Sequence, residues 1–202
     1  MTNENGSEIR IPAEWEPQAG VQLTWPHEGT DWAPCLDAVE PAFLAIAREI
    51  SRRENLLVAC TDPVALRAKL ASAGVEMNNV RLCKAPSNDT WARDHGPITV
   101  IDNGNPVLLD FHFNGWGGRF PCDLDNAITR ALHAAGAFGK TTIRTLDFVL
   151  EGGSIESDGG GTLLTTSRCL LAPSRNPGCS RASIETYLAT HLGAKRLLWI
   201  EH

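Results

Sequence analysis

The sequence predicts an α/β fold. Helix and strand signals alternate along the chain, hydrophobic residues make up 43% of its 202 positions, and a strand–turn–strand–helix pattern occurs twice at a fixed offset. A chain this long gives about one domain and hides roughly 70% of its unfolded surface. Charged residues are 21%, an ordinary soluble composition that excludes disorder as the main state.

The elements follow in order. Residues 1–10 read as a loose polar tail. Val21-Gln22-Leu23-Thr24-Trp25 alternates apolar and polar positions and predicts a strand. Asp37 offers a cap for a helix over 38–53, with Val39, Phe43, Ile46 and Ile50 on one face. Residues 55–60 form an apolar run expected as a buried strand. Asp62 caps a helix running to about Ala73, stopped by Gly74. Residues 80–85 predict a strand, 87–97 a loop, and 98–101 with 107–113 a hairpin turned at Asn103-Gly104. A helix over 123–135 ends at Gly136. Strands follow at 142–146, 154–156 and 162–166. Ser180 caps a helix to Leu192, and 196–200 is the last strand.

Several function classes drop out. No apolar run approaches the roughly 18 residues of a membrane span, and the N-terminus lacks the basic and apolar stretches of a signal peptide. Net charge is −6, and 14 arginines and 4 lysines are scattered. Nucleic-acid binding needs a clustered basic footprint, so neither nucleic acid nor membrane is an expected partner. An acidic chain favours small cationic ligands instead. The six cysteines show no C-x-x-C pair and no zinc spacing, so reduced thiols in a cytoplasmic protein are expected, with no metal.

The repeat sharpens this outline. Asp94-His95-Gly96-Pro97 precedes a strand, an Asn-Gly turn, a strand and a helix. Glu151-Gly152-Gly153-Ser154 precedes the same order, 57 residues later. Asp94 and Glu151 thus hold equivalent positions, and units repeated about an axis would point both at a shared centre.

Candidate chemistry gathers in three segments. Asn88-Asp89-Thr90-Trp91-Ala92-Arg93-Asp94 sets two carboxylates around a flat aromatic. A carboxylate pairs with a planar guanidinium, and a Trp face attracts a cation. The same segment also reads as a turn in which Asp89 caps and Asp94 pairs with Arg93 or another arginine. Asn114-Gly115-Trp116-Gly117-Gly118 places a second Trp among glycines, which permit positive φ and close ligand approach; it reads equally as a loop covering the core. Glu151 ends the apolar run Phe148-Val149-Leu150. A buried acid is costly unless paired, so Glu151 is either a site residue or a structural ion pair. Cys60 and Cys83 lie on apolar strands and read as inert core residues.

These segments resemble a known family. Pro12-Ala13-Glu14-Trp15-Glu16-Pro17, Thr24-Trp25-Pro26-His27, Asn88 to Pro97, Phe113 to Gly118, Glu151 to Ile155 and Leu163-Leu164-Thr165-Thr166 occur in the order seen in agmatine deiminases and the bacterial peptidylarginine deiminases. The resemblance implies the pentein fold, a five-bladed α/β-propeller of ββαβ units, with about three blades present in residues 11–202. It implies hydrolysis of agmatine to N-carbamoylputrescine and ammonia. A Cys thiolate attacks, a His serves the leaving ammonia, and no cofactor takes part. Peptidylarginine or free arginine is the alternative substrate.

By motif match, Asp94 grips the guanidinium and Glu151 partners the catalytic His. Trp91, Asp89, Trp116, Asn114 and Arg93 contact the substrate. The family's segments carrying the catalytic His and the nucleophilic Cys are absent from these 202 residues. The chain therefore reads as a truncated domain, inactive alone, with at most weak guanidinium binding. Assembly into a homo-oligomer stays open.

Overall fold

The computed structural model describes residues 8–201. Strand β1 is Ile9–Arg10, β2 Gly20–Thr24, helix α1 Leu36–Ser51, β3 Asn55–Cys60, α2 Pro63–Ser72 and β4 Val80–Lys84. Next come β5 Ile98–Asp102, β6 Asn105–His112, α3 Asp125–Ala134 and β7 Thr142–Val149. Last are β8 Ile155–Ser157, β9 Thr162–Thr166, α4 Arg181–Leu192 and β10 Arg196–Ile200. Among the described residues the strands form three sheets, so the fold is mixed α/β. No described helix is long and apolar enough to cross a membrane. The chain divides into two compact units, one of residues 17–92 and 122–139, the other of 8–16, 93–121 and 140–201.

The unit of residues 17–92 and 122–139 is built on parallel strands in the order β2-β3-β4, with α1 and α2 as the crossovers. Parallel strands covered by helices are apolar throughout. Leu56, Val58, Ala59 and Cys60 of β3 are accordingly all buried. Leu66 and Leu70 of α2 pack with Trp25, Leu56 and Val58. Ile128 and Leu132 of α3 pack with Ala59, Cys83 and Ala85. The Asp62 side chain accepts from the Val64 and Ala65 amides, the cap read from sequence. Asp37 does not cap α1. A 3₁₀ turn, Ala33–Cys35, runs straight into the helix, so Asp37 falls within its first turn. There it still meets the positive end of the helix dipole.

The other unit holds both repeats. β5 and β6 form an antiparallel hairpin, and β7 joins β6 in parallel. β8 and β9 pair antiparallel, and β10 joins β9 in parallel. Ile98 and Ile155 begin the first strands, and Asn105 and Thr162 the second, at the offset read from sequence. The turn Asn103-Gly104 has φ of 49° and 78°, the paired positive values of a tight hairpin. Ile184, Leu188 and Leu192 of α4 are fully buried, sharing a core with Val100, Leu109 and Leu163.

Three local expectations change. The tail reading over 1–7 lies outside the described residues, while Ile9 and Arg10 pair antiparallel with Ile101 and Asp102. β7 runs to Val149, past the expected Leu146, because Phe148 and Val149 are buried. Ala92–His95 is a single helical turn where a loop was expected.

Candidate functional site

Asp94 sits half-buried in the turn leading to β5. Its Oδ2 accepts from the Trp116 indole at 3.2 Å, and its Oδ1 from the Gly153 amide at 3.2 Å. Burial pushes its pKa up. The two donors and the Arg93 charge pull the other way. An ionised carboxylate has about four acceptor positions, so two donors leave room for a bidentate guanidinium.

The second repeat folds around this acid. A Cβ on Gly153 would collide with Asp94 Oδ1, and one on Gly152 with the Arg93 carbonyl. Glycine is therefore the residue that lets the strand end approach so closely.

Trp116 is held by an unusual backbone. Gly115, Trp116, Gly117 and Gly118 have φ of 64°, 56°, 85° and 77°, a left-handed turn in which Trp116 alone carries a side chain. Left-handed backbone costs an L-residue roughly 1–2 kcal/mol, and such strain gathers at functional positions. Asn114 organises the turn. Its Oδ1 accepts from the Gly117 amide at 2.8 Å, and its Nδ2 donates to the Ser174 carbonyl at 2.9 Å. The Trp116 ring meets Phe113 and Phe120 edge-on, at 5.1 and 5.6 Å.

Glu151 is 2% exposed at the end of the β7 strand segment. Its Oε1 accepts from Arg175 Nε at 2.8 Å, an ion pair in which the Glu151 side chain is buried and the Arg175 side chain partly so. Its Oε2 is buried and has no hydrogen-bond partner among the described residues. The carboxylate thus keeps one oxygen for a further donor. Nothing in the sequence spacing selects Arg175 from 14 arginines, so this partner was not anticipated.

Arg93 faces outward. Its guanidinium pairs with Glu14 at 2.6 Å and Glu156 at 3.3 Å, with over half of its side chain exposed. Surface pairs of this kind contribute about 0–1 kcal/mol.

Asp89 and Trp91 lie in the unit of residues 17–92 and 122–139. Asp89 is buried, and both its oxygens are engaged locally. Oδ1 accepts from the Thr90 amide at 2.8 Å and Oδ2 from the Trp91 indole at 2.9 Å. Asp89 therefore orients Trp91, whose ring is 44% exposed and lies 6.5 Å from Trp32. The loop is pinned from both sides. Asp125 Oδ1 accepts the Asn88 and Asp89 amides at 2.7 and 3.2 Å, and Asn88 Oδ1 accepts the Leu124 and Asp125 amides at 2.9 and 3.3 Å.

The cysteines are free thiols. Burial pushes Cys60 up to about 12 and also raises Cys122, the reverse of what a nucleophilic thiolate needs. Among the described residues no group of three potential ligands could hold a metal ion.

Residues 10–202 match the family described as Porphyromonas-type peptidyl-arginine deiminase. An agmatine deiminase of Pseudomonas aeruginosa is 38% identical over 198 residues, covering 95% of this chain and 52% of the relative. Among solved structures, a substrate-bound C. jejuni agmatine deiminase superposes with a TM-score of 0.89 at 34% identity, over 98% of this chain and 58% of that one. A Porphyromonas gingivalis protein provisionally named an arginine deiminase gives 0.85 at 46% identity, over 96% and 57%. The chain spans about half the length of the curated relatives it matches.

Proposed function

The chain belongs to the Porphyromonas-type peptidyl-arginine deiminase family, and on that premise we propose that it is the guanidinium-gripping part of an agmatine deiminase. The whole enzyme would hydrolyse agmatine to N-carbamoylputrescine and ammonia. One observation carries this reading: Asp94 is held by the Trp116 indole and the Gly153 amide with acceptor capacity to spare. Carboxylate and indole together suit a flat cation.

The residues divide the work. Asp94 binds the guanidinium nitrogens and holds the carbon for attack. Trp116, shaped by Asn114, supplies an aromatic wall. In its own unit, Trp91 is oriented by Asp89 and exposed. Glu151 keeps Oε2 for the N–H of the acid–base histidine. A cysteine thiolate adds to the guanidinium carbon, ammonia leaves with a proton from that histidine, and water releases the ureido product. Neither Cys60 nor Cys122 suits the attack, since both are held as thiols. We read the three sheets as about three blades of a five-bladed α/β-propeller, with the histidine and nucleophile supplied by a longer protein.

Incubating the full-length protein with agmatine should release ammonia and the ureido product in equal amounts. No turnover would sink the reading. The 202-residue stretch alone should bind agmatine weakly by calorimetry and turn over none.

The family description favours a second reading, in which the substrate is a peptide arginine. Arg119, exposed beside the Trp116 turn, could then meet a peptide carboxylate. Comparing kcat/KM for agmatine and for a peptide ending in arginine decides between them.

A further inference from the structure

Three consecutive residues reach three different parts of the candidate site. The Ser174 carbonyl accepts from Asn114 Nδ2 at 2.9 Å, beneath the Trp116 turn. Arg175 Nε donates to Glu151 Oε1 at 2.8 Å. Asn176 caps the end of β7 like a borrowed strand: its Nδ2 donates to the Val149 carbonyl at 2.9 Å and its Oδ1 accepts the Val149 amide at 3.0 Å.

The segment is itself stiffened. The Arg175 amide donates to the Ala172 carbonyl at 3.0 Å, and the Cys179 amide to the Asn176 carbonyl at 3.2 Å. Ser174 also packs so closely on Gly117 that a Cβ there would strike its hydroxyl. A short stretch between β9 and α4 therefore ties the aromatic turn, the buried acid and the strand end to one another.

We propose that Arg175 is a positioning residue for Glu151, and that Ser174–Asn176 acts as a clasp setting Glu151 against the Trp116 turn. The inference rests on the reading of Glu151 as the acid that serves the catalytic histidine. Arg175 occupies Oε1 from one side and leaves Oε2 open. It also supplies the charge that lets a carboxylate exist 2% exposed. Without it, the acid would rotate towards another donor. That spoils its aim, and a displacement of about 1 Å in a catalytic array can cost about 100-fold in rate. Arg175 is engaged with Glu151 and not with Asp94, the acid assigned to the guanidinium, so ground-state binding should be spared.

The test uses the full-length protein and steady-state kinetics on agmatine. Arg175→Met should lower kcat about 100-fold while KM stays within about threefold. Arg175→Lys, which restores a charge and one N–H but not the planar fork, should recover about tenfold of that loss. Asn176→Ala should lower kcat less, again with KM unchanged. Glu151→Gln runs beside them. If Glu151→Gln is inactive while Arg175→Met and Arg175→Lys keep kcat within twofold, the positioning role is overturned and the reading of Glu151 stands. If Glu151→Gln keeps full kcat, the reading of Glu151 falls and takes the proposal with it. Should Arg175→Met fail to fold, Arg175→Lys decides: a tenfold fall in kcat at constant KM supports the role, and unchanged kcat refutes it.

Discussion

The Gly153 amide donates to the Asp94 carboxylate at 3.2 Å, so the acid of the first repeat is held by a glycine of the second. A methyl at this position would strike Asp94 Oδ1. Gly153→Ala should therefore cost about 1–3 kcal/mol of stability, as overpacking does. It should also raise KM for agmatine, because the carboxylate must swing aside. Thermal melts and steady-state kinetics on the full-length protein check both, and a variant with unchanged melting temperature and KM would contradict the close approach.

The Trp116 indole offers a second handle on Asp94. Its hydrogen bond opposes the upward push of burial on the acid. Trp116→Phe keeps an aromatic wall and removes the donor. The Asp94 pKa should then rise further, moving the acidic limb of the kcat/KM profile to higher pH. Stability should fall by about 1.5 kcal/mol, since that is what losing one hydrogen bond to a charged group costs, and thermal melts check it. An acidic limb that stays in place would argue against Asp94 as the titrating group.

The Asn88–Asp125 exchange predicts the behaviour of the Trp91 loop. Asp125→Asn retains an acceptor for the Asn88 and Asp89 amides and should be tolerated. Asp125→Leu leaves two N–H groups without that acceptor. At about 1–3 kcal/mol for each unsatisfied group, the melting temperature should drop by several degrees. The Trp91 indole signal, assigned with Trp91→Phe, should shift in Asp125→Leu, because Asp89 is no longer anchored. Equal melts for the two variants would show that the carboxylate does not carry the loop.

The fold and the site were legible in the sequence to different degrees. The 57-residue offset from Asp94 to Glu151 foretold two hairpins, because turn residues and period-2 strands are local signals. The glycines around Trp116 foretold positive φ for the same reason. What stayed hidden was tertiary. Asp89 turns inward on its own loop, as the turn reading of that segment has it, but nothing local says that Arg93 points to Glu14 and Glu156, or that Arg175 is the cation for Glu151. A buried acid announces that a partner is needed. Which arginine answers depends on the path of the chain between β9 and α4.

His95 gives a prediction in pH. Its ring is 4% exposed, packed edge-on 6.2 Å from Phe113, and burial pushes its pKa down to about 4 from an ordinary 6.5. The folded ring stays neutral where the unfolded one takes a proton. The stability it contributes is therefore complete above about pH 6.5 and lost as pH falls through 6.5 towards 4, a total of about 3 kcal/mol. Asp94 and Asp125 have the opposite sign, since burial raises both and their protonation favours the fold as pH falls. The contribution of His95 is isolated by comparing the parent with His95→Phe, which keeps an aromatic ring and removes the titration. Urea unfolding at successive pH values from 7 to 4.5 should show the parent losing stability more steeply than His95→Phe, by about 1.4 kcal/mol per pH unit at most. Parallel curves would mean that the His95 ring is as free to take a proton in the fold as in the unfolded chain.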